Sequence, residues 1–230
     1  MSLILSLLLA VQDLQGPKID TPGALLSCGT DASLDSSLCR ATVSADEKRY
    51  VEAAIAFEGA AQIAGDRREQ RARIELAAAN MWLAAERPAD ADKAIARALE
   101  YDLYLSPLQR GLARIDRARA ALDMDDPALA LAHLDDAETF AAADPFLWWM
   151  KGTILLDTGD VAGARSALDT GLALAHDAPE LLLLAGHVAI AEGDEAAARS
   201  HWAEAATHHG NPSAAAASAA LATLDTGIGE

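Results

Sequence analysis

The residues that come closest to a reactive site lie near the carboxyl end of the chain. His201, Glu204 and His208 are spaced to share one face of a helix, and His209 follows the last of them. Imidazole and carboxylate groups in such an arrangement can bind Zn²⁺. However, no second segment offers a residue that would complete the coordination shell, and the helix dipole alone favours histidines near a helix end. The sequence therefore predicts no metal site and no cofactor.

Other patterns that carry catalysis are missing from the sequence. The glycines occur singly rather than in a phosphate-binding loop, and there is no G-x-S-x-G nucleophile motif. Adjacent carboxylates, such as Asp135 with Asp136, fit helix caps and solvated surface better than a general acid–base pair. We therefore predict that the chain is not an enzyme.

The composition indicates an acidic and largely helical protein. The 230 residues include 18 Lys and Arg against 35 Asp and Glu, which gives a formal net charge of −17. This charge disfavours nucleic acid and anionic membrane surfaces as partners, because both are negative themselves. Hydrophobic residues make up 52% of the chain but aromatic residues only 4%. The abundant alanine favours closely packed helices over strands.

The amino-terminal segment bears on where the protein works. Residues 3–11 form an apolar run of the length of a secretory signal core, which is too short to span a bilayer as a helix. We predict that residues 1–16 are a signal peptide or anchor, the only part of the chain that contacts a membrane. The protein would then work in the periplasm or attached to the cell envelope. A cytoplasmic chain with a buried start is the alternative.

Residues 17–44 are rich in Gly, Ser, Pro and Asp and predict an irregular linker. Cys28 and Cys39, the two cysteines of the chain, lie in this linker. A disulfide between them would close a short loop and fits an oxidising compartment. Two unpaired thiols are the alternative.

From residue 45 onward the chain reads as helices separated by regular breaks. A capping side chain precedes a proline at Ser106, Asp126, Asp144 and Asn211, a combination that starts helices. The pattern then repeats every 34 residues. The recurring positions are Asp126, Asp160 and Asp194; Ala118, Gly152 and Gly186; Ala130, Ala164 and Ala198; Leu134, Leu168 and Trp202; and Ala137, Gly171 and Ala205.

These residues resemble the tetratricopeptide repeat (TPR), a helix pair of 34 residues. In residues 145–178, Trp148, Gly152 and the pair Ala164 and Leu168 stand where the family has its early Trp, its small residue and its A-x3-F motif. Weaker copies precede, interrupted by insertions near residues 66–71 and 101–106. The resemblance covers residues 45–225 and implies an all-α solenoid, a right-handed superhelix of stacked antiparallel helix pairs. Residues 212–225 would form its capping helix.

The resemblance also implies a concave groove lined by the first helix of each pair. In three copies this helix carries apolar residues that share one stripe, and a polar residue that differs from copy to copy lies beside them. An apolar floor with selective polar groups is what a protein or peptide ligand requires. The candidate groove residues are the apolar Ile115, Leu122, Trp149, Leu156, Leu183 and Ile190 and the polar Asn80, Arg119, Thr153 and His187.

Two interpretations of this groove remain open. It holds a peptide or helix of another protein, in which case the chain is a scaffold or adaptor. Alternatively, the chain's own amino-terminal segment fills the groove, and the protein is a self-associating or membrane-tethered assembly factor.

Overall fold

The structure is a computed structural model and describes residues 28–226. The predicted signal segment, residues 1–16, and the first part of the predicted linker lie outside these residues. The described part of the chain forms eleven α-helices and one short 3₁₀ turn, with no strand among them. This confirms the all-α class. The chain divides into two compact units, Met1–Phe140 and Ala141–Glu230, called unit 1 and unit 2 below.

The described part of unit 1 contains six helices. Short turns connect them, and from α1 to α5 each helix packs against the next, so that neighbours run antiparallel. The helices are α1 (Leu34–Asp46), α2 (Tyr50–Ala64), α3 (Arg68–Ala84), α4 (Pro88–Leu99), α5 (Pro107–Asp123) and α6 (Pro127–Ala141), with the 3₁₀ turn at Asp102–Tyr104.

The interior of unit 1 is built from the small and apolar positions of the repeat. In α2, Ala53 and Ala60 are fully buried and Phe57 is 3% exposed. Helix α4 repeats this arrangement with Ala91, Ile95 and Ala98. Alanine at such positions lets two helix backbones approach closely, and the larger side chain fills the remaining space.

A partly buried ionic network joins three helices of unit 1. The Arg97 guanidinium of α4 donates from Nε to Oε2 of Glu75 at 2.9 Å and also donates to Glu58 of α2. Trp82 Nε1 donates to the same Glu58 carboxylate at 3.2 Å. Because Glu75 is only 2% exposed, its carboxylate depends on Arg97 for compensation.

Helix α1 differs from the irregular linker expected over residues 17–44. The Ser33 hydroxyl accepts a hydrogen bond from Ser36 N and caps the helix, and Leu34, Ala41 and Val43 are buried. Small serines share the buried side of α1, which hides the apolar periodicity in the sequence. Helix formation therefore follows from packing against α2 rather than from a strong local pattern.

The segment before α1 is fastened to it. Cys28 and Cys39 form a disulfide with their Cα atoms 5.6 Å apart. Arg40 donates to the carbonyl oxygens of Gly29 and Asp31 and to the Ser37 hydroxyl. These contacts place the turn before α1 against the helix itself.

Up to residue 226, unit 2 contains five helices that pack in sequence, and in addition α7 contacts α9 and α9 contacts α11. The first helices of two successive pairs, α7 and α9, therefore lie side by side. The helices are α7 (Pro145–Asp157), α8 (Val161–Leu174), α9 (Pro179–Ala191), α10 (Glu195–Ala206) and α11 (Pro212–Thr226). Helix α11 occupies the position expected for the capping helix.

A close contact fixes α9 against α10. A Cβ atom at Gly186 would overlap the indole of Trp202, which is 5% exposed. Trp202 Nε1 donates to the carbonyl oxygen of Leu183 at 3.1 Å, and this bond fixes the ring. Only glycine fits at position 186 without displacing the indole. No helix within residues 28–226 is long and apolar enough to cross a membrane.

Candidate protein-interaction surface

The main candidate surface is one side of the neighbouring helices α7 and α9. Residues spaced by three, four and three positions share one side of a helix. Each of the two helices carries four such residues that are wholly or partly accessible. We call this surface the α7–α9 face; it comprises Phe146, Trp149, Thr153 and Leu156 of α7 and Glu180, Leu183, His187 and Ile190 of α9.

An aromatic pair occupies the α7 part of this face. The ring centroids of Phe146 and Trp149 are 5.2 Å apart, and the rings are tilted by 32°. Both side chains are partly buried. Trp149 packs against a core that includes Leu184 and Val188 of α9, so one side of the indole is fixed while the rest is accessible. Phe146 is absent from the sequence-based candidates, although its position three residues before Trp149 is a usable signal.

The neighbouring Trp148 has a different environment. Its Nε1 donates to the carbonyl oxygen of Ala142 at 2.8 Å, and its Cβ lies beside Gly171 of α8. Trp148 therefore packs α7 onto α8, whereas Trp149 belongs to the α7–α9 face.

The polar candidates of unit 2 are partly engaged within their own helices. The Thr153 hydroxyl donates to the Trp149 carbonyl oxygen at 2.9 Å, which leaves its oxygen as an acceptor. The exposed His187 contacts Trp202 edge-on, with ring centroids 5.2 Å apart. Desolvation lowers the pKa of His187 and the carboxylate of Asp157 opposes that shift. His187 is therefore neutral at pH 7 and offers one donor and one acceptor.

In unit 1 the candidates have mixed environments. Ile115 is 2% exposed and so belongs to the interior, where a ligand would not reach it. Leu122 is 37% exposed, and Asn80 of α3 is partly buried. Arg119 donates from Nη1 to the buried Asp116 at 3.0 Å.

Asp116 is a residue that the sequence reasoning missed. It is 6% exposed, and burial raises its pKa to about 6, although Arg119 opposes the shift. The pair of Asp and Arg three residues apart on a helix was the available signal. Asp116 orients the guanidinium that the sequence assigns to ligand selection.

The histidines near the carboxyl end do not assemble into a larger cluster. Among residues 28–226, no three His, Cys, Asp or Glu side chains come together as a group that could hold a metal ion.

The sequence matches no protein-family model and no curated protein, but the fold is similar to that of solved structures. YrrB, described as a TPR protein with an unusual peptide-binding site, is 16% identical with a TM-score of 0.61; the match covers 82% of this chain and 93% of YrrB. PilF of Pseudomonas aeruginosa is 20% identical with a TM-score of 0.65, over 82% of each chain. PilW, described as a type IV pilus biogenesis factor, is 18% identical with a TM-score of 0.63, over 80% of this chain and 82% of PilW. Together with the helix pairs described above, these similarities show that the chain has the tetratricopeptide-repeat fold.

Proposed function

We propose that this protein is a non-catalytic interaction module of the bacterial cell envelope that holds a peptide or helix of a protein partner on its α7–α9 face. The observation that carries the proposal is the composition of that face. Five of its eight residues are apolar and accessible at least in part, and they include the Phe146–Trp149 pair. Contiguous accessible apolar groups with a few polar ones mark interaction sites.

The residues of the face divide into two roles. Phe146, Trp149, Leu156, Leu183 and Ile190 provide apolar contacts, and aromatic side chains dominate such interfaces energetically. Thr153 and His187 supply hydrogen-bonding groups that select among ligands. In unit 1, Asn80, Arg119 and Leu122 provide further partner contacts, and we leave out the buried Ile115.

The similarity to YrrB supports peptide binding, because that TPR protein is described as having a peptide-binding site. The description of PilW as a pilus biogenesis factor supports an envelope role. The apolar residues 3–11 and the Cys28–Cys39 disulfide fit export to an oxidising compartment. Cell fractionation tests the location, since recovery of the uncleaved chain in the cytosol would contradict it.

A matched pair of variants tests the binding function. Ile190 is 39% exposed on α9, and Leu174 is 45% exposed at the end of α8, outside the α7–α9 face. Both side chains are accessible, so lysine at either position should leave the helices folded, as circular dichroism would verify.

Affinity capture from native envelope extract then compares the two variants with the wild type. We expect Ile190→Lys to lose the captured partner and Leu174→Lys to retain it, because only the first places a charge on the apolar face. Equal capture by both variants would contradict binding at this face.

A further inference from the structure

We infer that the segment held by the α7–α9 face is cationic and amphipathic, with apolar residues facing Trp149 and Lys or Arg beside them. The inference rests on the proposed function, because it names the chemical class of partner for the same face. It depends on the charges of unit 2 and on where the structure places them.

Unit 2 is strongly negative. Residues 141–230 include three Lys and Arg and twelve Asp and Glu, which is a formal net charge of −9. The field of such a unit attracts cationic ligands and repels anionic ones over distances near the Debye length, about 8–10 Å at physiological salt.

The three cations of unit 2 lie away from the face. Arg165 of α8 pairs with Glu192, its Nε 3.0 Å from Oε1, and Arg199 of α10 pairs with Asp225. Lys151 lies over the ring of Trp148, with Nζ 5.9 Å from the centroid, and Trp148 packs toward α8. The eight residues that define the α7–α9 face include a carboxylate and no Lys or Arg.

Two carboxylates border the apolar residues. Glu180 begins the α9 stripe and accepts a hydrogen bond from the neutral side-chain amide of Asn211 at 2.9 Å, which leaves its charge uncompensated. Asp157 follows Leu156 at the end of α7 and is exposed, and its charge partly opposes the desolvation that lowers the pKa of His187. An apolar surface between carboxylates complements an apolar segment that carries positive charges beside it.

The same chemistry argues against the chain's own amino-terminal segment as the occupant. Residues 1–16 are apolar but contain no Lys or Arg, and Asp13 adds a negative charge. That segment could satisfy the apolar floor but has no cationic side chain to offer either carboxylate.

Binding of designed peptides to the full chain tests the inference. Three fluorescently labelled probes are used: a Leu/Lys amphipathic peptide of about five helical turns, a Leu/Glu peptide of the same pattern, and a synthetic peptide of residues 1–16. Anisotropy titrations give their dissociation constants. We expect the Leu/Lys peptide to bind at least about tenfold more tightly than the other two. Its affinity should fall as the salt concentration is raised from about 50 to about 300 mM.

Two sets of variants locate the binding. The double variant Asp157→Asn/Glu180→Gln should lower the affinity for the Leu/Lys peptide about tenfold. The matched control Asp169→Asn/Glu204→Gln changes exposed carboxylates of α8 and α10 and should leave this affinity nearly unchanged. Trp149→Ala and Ile190→Lys should each weaken it as well, with the fold verified by melting temperature.

The contrary outcomes separate the two proposals. Equal binding of the Leu/Lys and Leu/Glu peptides, both weakened by Trp149→Ala, would overturn the charge inference and keep the proposed function. Tight Leu/Lys binding that none of the face variants alters would show non-specific attraction and overturn the inference. Tightest binding of the peptide of residues 1–16, or binding of none of the three, would also overturn it.

Discussion

Adjacent residues of this chain have separate structural roles, and the pair Trp148 and Trp149 shows it most clearly. Trp148 is bonded to the Ala142 carbonyl and packs beside Gly171, whereas Trp149 pairs with Phe146 on the α7–α9 face. Successive helical residues point about 100° apart, so a helix with one packed side necessarily separates them. The 34-residue phase was sufficient to predict this difference from sequence.

Buried Asp116 leads to a prediction about stability. Its folded pKa of about 6 lies above the ordinary value of 3.8, so between these values the folded state binds more protons than the unfolded state. The contribution of Asp116 to the free energy of unfolding is therefore largest at low pH and is lost as the pH rises from about 4 to about 6. Asp116→Asn removes this dependence. We expect the stability of the variant relative to wild type to increase by up to about 3 kcal/mol between pH 4 and pH 7.5.

Urea denaturation of both proteins across this pH range measures the difference. A constant difference in the free energy of unfolding would show that Asp116 is not desolvated as described.

Sequence reasoning located the binding candidates by their period but could not determine their burial. Ile115 occupies the same repeat position as Trp149 and Leu183, yet it is 2% exposed. Its burial depends on side chains from other helices, which a single stripe does not reveal. The same limit explains why Asp116 was missed: a carboxylate on an Arg-rich helix looks like solvated surface until its neighbours are known.

At the scale of elements, the capping residues and the small positions of the repeat predicted most helices of the described part. The Ser106 capping box and the Asp160 and Asp194 caps begin α5, α8 and α10 as expected. Helix α1 lacked such a signal because its buried side includes Ser36, Ser37 and Ser44. Its stability depends on packing against α2, and a contact between two helices cannot be seen in the residue pattern of one of them.

The insertion predicted near residues 101–106 has a defined structure. It forms the 3₁₀ turn Asp102–Tyr104, and Arg110 Nε donates to the carbonyl oxygens of Asp102 and Leu105 at 2.8 and 3.1 Å. Arg71 lies over the Tyr101 ring, 5.3 Å from its centroid. Arginines of α3 and α5 therefore order the extra residues, which accounts for part of the Arg content of these helices.

Replacing each of two helical glycines by alanine should change the stability of the protein in opposite directions. At Gly186 the added Cβ would overlap the Trp202 indole, whereas at Gly59 of α2 it would meet nothing within 4 Å. We expect Gly186→Ala to destabilise the protein by about 1–3 kcal/mol through overpacking, and Gly59→Ala to stabilise it by about 0.5–1 kcal/mol through helix propensity.

Chemical denaturation followed by circular dichroism gives both values. If Gly186→Ala were as stable as wild type, this result would contradict the close approach of α9 and α10.

At the scale of the whole molecule, the proposed function follows from the residues that one helix face carries. On α7 and α9, accessible apolar residues are bordered by the carboxylates of Asp157 and Glu180. The charge of the chain could be read from sequence. The separation of the negative α7–α9 face from the three cations of unit 2 could not be predicted from sequence. Ion pairs such as Arg165 with Glu192 join residues far apart in the chain.

Site-specific photocrosslinking in cells tests the central claim most directly. A photoreactive amino acid is placed at position 187, exposed on the α7–α9 face, or at position 166, exposed on α8. If the face binds a protein partner, irradiation yields a crosslinked adduct from position 187 and none from position 166. Adducts from position 166 with none from position 187 would contradict the account.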